Sequence, residues 1–391
     1  MRHILTIHTA PQEDEGSTWL QLFFDLVYVA ILVELGNRLS HDLTGDGLVA
    51  FILIFVPIWW SWLEFVDYGR RYPVDDIGQR ILTVLYMAAM LLMAFEIHAM
   101  VESASFAFVF TYGISKFILA LMYGRAWYYY PEYRHLTRDR SLAYALISLA
   151  WFVLALSDSR GMWPLIAVIA LGAVTPAVIR WLHVTSGRSS LPQPPLKYHF
   201  TLHRFGELTI IVLGEFFIKL ATSSEGRELN WISYLIGAGL LAISVSIWWL
   251  YFDHLEHVSL PRAESRLWFW TYAHLPFMAA ITLYGVIGNQ IFAQRPGAPL
   301  TEIERILFIA ALAVALLAYG IIEWASSERD EPLSRPAQPW LRVIGAAALL
   351  VLGFFAASLN VDWLVLVVMG ILLIQVVLDA RQRLLRPEPQ Q

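Results

Sequence analysis

Several charged residues stand inside apolar stretches where an ordinary chain does not hold them. Asp25 interrupts Phe23-Phe24-Asp25-Leu26-Val27, and Glu207, Glu215 and Lys219 interrupt the long apolar run that begins at Arg204-Phe205-Gly206. Glu64 and Asp253 each follow a Trp-Trp pair, in Trp59-Trp60-Ser61-Trp62-Leu63-Glu64 and Trp248-Trp249-Leu250-Tyr251-Phe252-Asp253. A carboxylate taken out of water must find a cation or accept a proton, so these residues point to proton or cation binding. Glu215 and Lys219 have the i,i+4 spacing of a helical ion pair, and Arg204 and Glu207 the i,i+3 spacing. Glu207 and Glu215 lie about 80° apart around a helix and ~12 Å apart along it, close to one stripe. Two readings stay open: internal pairs that neutralise one another while the helix packs, or Glu215 as the carboxylate that receives a substrate or proton. Lys116 lacks a local partner, and a carboxylate on another helix, Glu215 among them, is expected to face it. Gln21, His203 and His254 are secondary candidates.

These residues need elements to hold them, and composition says which. The 391 residues are 58% hydrophobic and 15% charged, well below the quarter or so of charged residues a soluble surface uses. Sixteen Trp, 17 Tyr and 22 Phe exceed the needs of a globular core and suit the aromatic belts of a bilayer boundary. A net charge of −5 gives no basic field for nucleic acid, and the absence of cysteine excludes disulfides, thiolate metal sites and cysteine nucleophiles. The chain reads as an all-α polytopic membrane protein. Twelve stretches are long enough to span, at about 20 residues each: 18–37, 46–66, 78–100, 104–124, 140–157, 162–182, 200–222, 231–252, 267–289, 303–324, 339–358 and 361–380. Residues 1–17 form a polar leader without the basic start of a cleavable signal.

Loop charge gives an orientation. Loops on the N-terminal side carry Arg70, Arg71, Arg125, Arg134, Arg138, Arg140, Arg188, Lys197, Arg262, Arg266, Arg329 and Arg335, and the tail adds Arg381, Arg383 and Arg386. The opposite loops carry only Arg38, Arg160, Arg227, Arg295 and Arg305. By the positive-inside rule both termini, including the tail 381–391, are expected in the cytoplasm, with the protein multi-pass in the cell inner membrane.

The halves resemble each other. Phe23-Phe24-Asp25-Leu26 returns as Phe205-Gly206-Glu207-Leu208 at an offset of 182, and the Trp-Trp stretches ending at Glu64 and Asp253 match at 189. Met87-Ala88-Ala89 matches Met278-Ala279-Ala280, and Trp163 matches Trp363. The expected organisation is two six-helix repeats, 18–182 and 200–380, joined by a Pro-rich linker at 183–199. Six spans is an even number, so the repeats run parallel, related by an axis along the membrane normal. Asp25, Glu64, Glu207 and Asp253 then form a pseudo-symmetric acidic ring in the cytoplasmic third. The competing reading makes Glu64 and Asp253 ordinary boundary residues, with Asp67 and Glu256 following in water.

Other features say less. Gly206 and Gly214, eight apart, would allow close helix approach. Pro57, Pro164, Pro176 and Pro276 lie in or near spans, where kinks beside a cavity are tolerated. Glu96 and His98 sit near the outer end of the third span. His254, His257 and His274 are too scattered for a zinc site and read as solvated or hydrogen-bonded, so no metal or other cofactor is expected. No G-x-S-x-G, Walker, G-x-G-x-x-G or H-E-x-x-H motif is present.

At these motifs the chain resembles the bacterial low temperature requirement protein A family. Leu22-Phe23-Phe24-Asp25-Leu26-Val27 is similar to that family's E-L-F-F-D-L-V. Arg204-Phe205-Gly206 with Thr209-Ile210-Ile211-Val212-Leu213-Gly214-Glu215 is similar to its E-R-F-G-x-x-T-I-I-V-L-G-E. The Trp-Trp span ends, Asp75-Asp76 with Arg80, and His274-Leu275-Pro276 also fit. Gln21 and His203 stand where the family has glutamates, and Glu207 where it has an apolar residue. The resemblance implies an integral membrane protein linked to growth in the cold and assigns no reaction. A proton mechanism shared with the family would here run on Asp25 and Glu215.

The reading that joins duplication to intramembrane charge is a proton- or cation-coupled secondary transporter, with a site formed by the first, second, seventh and eighth spans. Its expected partners are the lipid bilayer and a proton, cation or small-molecule substrate. Two alternatives from other classes remain: a membrane enzyme or lipid-handling protein using His203, Arg204, His254 and the acidic ring, or a non-catalytic sensor or partner subunit.

Overall fold

The structure is a computed structural model, which describes residues 19–72, 74, 76–103, 105–158, 162–187, 192–223, 229–256, 258, 260–261, 263–294, 297–326, 337–356 and 359–384. The leader, His257, Asp75 and the loop cations Arg160, Arg188, Arg227, Arg262, Arg295, Arg329, Arg335 and Arg386 lie outside the described residues.

Thirteen α-helices are described: α1 (Trp19–Ser40), α2 (Gly45–Arg71), α3 (Ile77–Phe95), α4 (Ile97–Ser103), α5 (Phe106–Tyr129), α6 (Arg134–Leu156), α7 (Met162–Thr185), α8 (Tyr198–Ser223), α9 (Trp231–Leu255), α10 (Glu264–Ala293), α11 (Glu302–Ser326), α12 (Ala337–Phe355) and α13 (Val361–Leu384). Eleven are long and apolar enough to cross a membrane. The twelfth long helix, α8, has the length, at 26 residues, but carries Arg204, Glu207, Glu215 and Lys219. The long helices coincide one for one with the twelve apolar stretches. Among the described residues β-structure is confined to one isolated bridge, Pro299 to Asn360. This is a multi-pass, all-α membrane protein.

Four boundaries lie five or six residues from those read off hydropathy: α2 and α5 run on to Arg71 and Tyr129, and the other two have a local polar reason. The third stretch ends early because Glu96 leaves helical geometry (φ −100°, ψ 3°) and accepts from Ser105 Oγ at 2.6 Å, while Ser105 caps α5. The fifth starts six residues early, at Arg134, since a polar first turn in water is helical without being apolar. Exposed tryptophans mark the helix ends: Trp19 and Trp231 open α1 and α9, Trp163 and Trp181 lie near the two ends of α7, and Trp340 and Trp363 lie in the first turns of α12 and α13. That distribution is the aromatic belt of a lipid boundary. On α7 only Leu165 and His183 are buried, so the rest of the first unit covers little of this helix.

The chain divides into two compact units, Met1–Arg38 with Val49–Phe205, and Leu39–Leu48 with Gly206–Gln391. The division falls inside α8. In the first unit Phe24 stacks on Phe65 at 4.1 Å, and the Phe205 and Trp62 rings meet edge-on at 4.9 Å. In the second, Gly206 meets Leu255 and Phe252 of α9, where an added Cβ would come within 3.2 Å and 3.5 Å, so close approach is real there. Gly214 has open space instead, and the expectation of close approach fails at that position.

Helix starts are fixed by side-chain caps. Asp76 accepts from Gln79 N at 2.7 Å at the head of α3, and Asn230 from Ser233 N at 2.9 Å at the head of α9. Burial alone would raise the Asp76 carboxyl, but the hydrogen bonds from Arg125 and Gln79 outweigh it and hold the group below its usual range. Because the folded value is depressed, the stabilisation is complete above about pH 4 and is lost as pH falls further. Asp76→Asn should flatten the melting temperature's decline below pH 4, and Asp76→Ala should cost about 1 kcal/mol at pH 7. Thermal melts of both variants across pH check this.

Candidate functional site

In the first unit two ion pairs lie inside the spans. Asp25 and Arg204 are both fully buried, and Arg204 Nη2 donates to Asp25 Oδ1 at 2.8 Å. Trp62 Nε1 donates to the same oxygen at 2.8 Å, which anchors α1 to α2 as well as to the start of α8. The Arg204 guanidinium lies 5.9 Å from the Phe24 ring centre. Arg204 is thus held by a carboxylate 179 residues away as well as lying one turn from Glu207.

The second pair joins Glu64 to Lys116. Lys116 Nζ donates to Glu64 Oε2 and, at 2.9 Å, to Ser61 Oγ, with the ammonium 4.4 Å from the Tyr112 ring centre. Lys116 does face a carboxylate on another helix, as expected, but that carboxylate is Glu64 on α2 and not Glu215. Glu64 is 5% exposed and Lys116 2%, so Glu64 is an interior residue rather than a boundary one. Tyr112 and Tyr86 donate to the carbonyls of Pro57 and Ser61, both at 3.0 Å, and brace α2 where the pair sits. Beside the pair is a cavity of about 10 Å³, close to the room one water needs. Its walls come from α2, α5, α6 and α7, with Gly172 and Ala173 on the α7 side.

In the second unit Glu215 is 5% exposed, and Lys219 Nζ reaches Glu215 Oε1 at 2.7 Å, the pair that the i,i+4 spacing predicts. Its other oxygen, Oε2, is buried and has no hydrogen-bond partner among the described residues. Glu207, Asp253 and His254 are half-buried, and His203 is exposed with its ring nitrogen 3.2 Å from that of His199. Glu64 and Asp253, matched in sequence, therefore differ in burial. Gln21 is half-buried beside Gly69 and Phe200 in the first unit.

His274 is fully buried and committed to hydrogen bonds. Its Nδ1 is 2.7 Å from the Trp270 carbonyl and must donate to it, so Nε2 accepts from Tyr251 Oη at 3.0 Å. A histidine so occupied has no nitrogen left for a metal. Among the described residues no three His, Asp or Glu side chains converge as metal ligands would.

One cluster escapes the sequence reading. Arg342 on α12 is fully buried and donates from Nε and Nη2 to Glu323 at 3.1 Å and 2.9 Å, from Nη1 to Gln375 at 2.9 Å, and from Nη2 to Asp379. Glu323 and Asp379 sit near the ends of α11 and α13, where a charge reads as a boundary residue, and only their convergence reveals them.

With this geometry in place, two comparisons bear on the chain. Residues 16–377 match the family described as bacterial low temperature requirement A protein (LtrA). An uncharacterized protein of Rhizobium meliloti is 23% identical over 286 residues, covering 71% of this chain and 69% of that protein. The family match runs from the polar leader into the last helix and takes in every buried pair described above except Asp379, so the chain belongs to the bacterial low temperature requirement A (LtrA) family.

Proposed function

We propose that this protein is a proton- or cation-coupled secondary transporter of the inner membrane, with Glu215 as the coupling carboxylate and both termini in the cytoplasm. The observation that carries the reading is a carboxylate inside α8, 95% buried, with one oxygen bound by Lys219 and the other unclaimed by any described residue. Protonation at Oε2 neutralises Glu215 and leaves the Lys219 ammonium uncompensated in an apolar setting. Lys219 must then release its own proton or draw in an anionic group, so proton arrival is linked to a second charge movement. The open space beside Gly214 leaves room for such an exchange.

The alternating-access part of the proposal rests on duplication, and side-chain placement favours it. Tyr123 is the eighteenth residue of α5 and Tyr319 the eighteenth of α11. Each lies under an arginine near the start of the next long helix, Arg140 at 5.5 Å and Arg342 at 5.1 Å from the ring centre. A repeated cation–aromatic contact at equal helical depth is what two copies of one six-helix unit would keep.

Proteoliposomes carrying the native chain should show uptake or efflux of a cation or small molecule that follows an imposed pH gradient. Glu215→Gln, which keeps shape and removes the titratable group, should reduce that flux at least tenfold. Flux unchanged in Glu215→Gln would sink the role given to Glu215, and no gradient-driven flux across a panel of cations and metabolites would sink transport.

A further inference from the structure

Among the described residues, the end of α2 carries more positive charge than its neighbours answer. Arg70, Arg71 and Arg140 all bond the single carboxylate of Asp67, Arg70 through Nε at 2.8 Å, Arg71 through Nε at 3.1 Å and 3.3 Å, and Arg140 through Nη1. Arg140 Nη1 also reaches Tyr123 Oη at 2.8 Å. Three guanidinia against one carboxylate leave a charge of +2. The C-terminal dipole of α2 offsets about half a unit, so an excess of roughly +1.5 remains. Asp67 offers about four lone-pair positions to roughly fifteen N–H donors. The backbone of Lys197 also meets this corner, its N–H donating to the Arg70 carbonyl at 3.4 Å.

A second, independent observation points the same way. Tyr72, the residue after α2, is 1% exposed, and its hydroxyl has no hydrogen-bond partner among the described residues. The ring is walled by Tyr68, Tyr123, Tyr130 and Tyr133 at 5.6–6.5 Å between ring centres. Burial raises the phenol's pKa and keeps it a neutral hydroxyl. A buried hydroxyl left unpaired costs about 1–3 kcal/mol, and this one is free to donate to an oxyanion placed beside it. The guanidinium edges stay reachable, with Arg71 and Arg140 side chains 17% and 18% exposed.

We propose that Arg70, Arg71, Arg140 and Tyr72 form an oxyanion site for a phosphate group at the end of α2, distinct from the Glu215 pair and independent of the transport reading. A tetrahedral oxyanion supplies several acceptor oxygens in the geometry that forked guanidinia match, and its charge answers the excess. The phosphate comes either from an anionic lipid headgroup, since the site borders the end of a span, or from a free phosphate in the adjoining water.

The test uses the full chain in nanodiscs. One arm titrates inorganic phosphate by calorimetry in phosphatidylcholine discs. The other counts phosphatidylglycerol retained in native mass spectra from discs that contain it. Saturable binding is expected in one arm: the first identifies a free phosphate, the second a headgroup. Tyr72→Phe removes a hydroxyl with no internal partner, so it should fold normally and weaken binding about three- to tenfold. Arg71→Gln, whose bonds to Asp67 are the longest of the three, should weaken it at least tenfold. No binding in either arm, or binding unchanged in both variants, overturns the proposal.

Discussion

Lys116→Met should destabilise the protein by on the order of 3 kcal/mol, and adding Glu64→Gln should restore most of the loss. The pair is among the most deeply buried in the chain, with side-chain exposures of 2% and 6%. Removing one member of a buried pair leaves an uncompensated charge, which costs about 3–5 kcal/mol, whereas removing both charges is often close to neutral. The neighbouring cavity has room for about one water, too little to hydrate a lone carboxylate. Ser61 Oγ and the tyrosines around it do not substitute for a full positive charge. Denaturation of the native, single and double variants in mixed micelles gives the coupling directly. Equal loss in the single and double variants would show that Lys116 acts by packing rather than by charge.

Arg342→Met should be more damaging still, and the protein should fail to reach its native state at neutral pH. One guanidinium serves two carboxylates and one amide drawn from α11 and α13, so its removal exposes two buried negative charges to each other as well as to an apolar setting. A loss of about 5 kcal/mol or more is comparable to the whole stability of an ordinary domain. Restoring neutrality with Glu323→Gln and Asp379→Asn in the Arg342→Met background should return a folded protein. Arg342→Lys should recover only part, because a point charge cannot bond three partners as a planar fork does. Recovery of monodisperse protein on size exclusion, compared across the three variants and the native chain, decides this. A well-folded Arg342→Met would mean that the carboxylates are already neutral.

The helices were legible in the chain because length and apolarity are local properties, and all twelve long helices lie where the apolar stretches stand. The Glu215–Lys219 pair was equally legible, since i,i+4 neighbours meet whenever a helix forms. Pairing across helices was not. Lys116 and Glu64 are 52 residues apart and Asp25 and Arg204 179, and no spacing rule reaches that far. The Arg342 cluster needed three helices in register before its charges could be told from boundary residues. Hydropathy also misplaced the ends of the third and fifth stretches, because it measures the apolar middle of a helix and is blind to Glu96 turning to Ser105 or to the polar first turn of α6.

Helix α7 has a consequence of its own. Trp163 and Trp181, 77% and 63% exposed, are 18 residues apart on a helix whose buried residues are Leu165 and His183. At 1.5 Å per residue that interval is about 27 Å, the hydrocarbon thickness of a thin bilayer. That interval, set by two residues of one helix, is the membrane thickness that α7 fits without tilting. It is in effect a gauge, read by the lipid rather than by the protein.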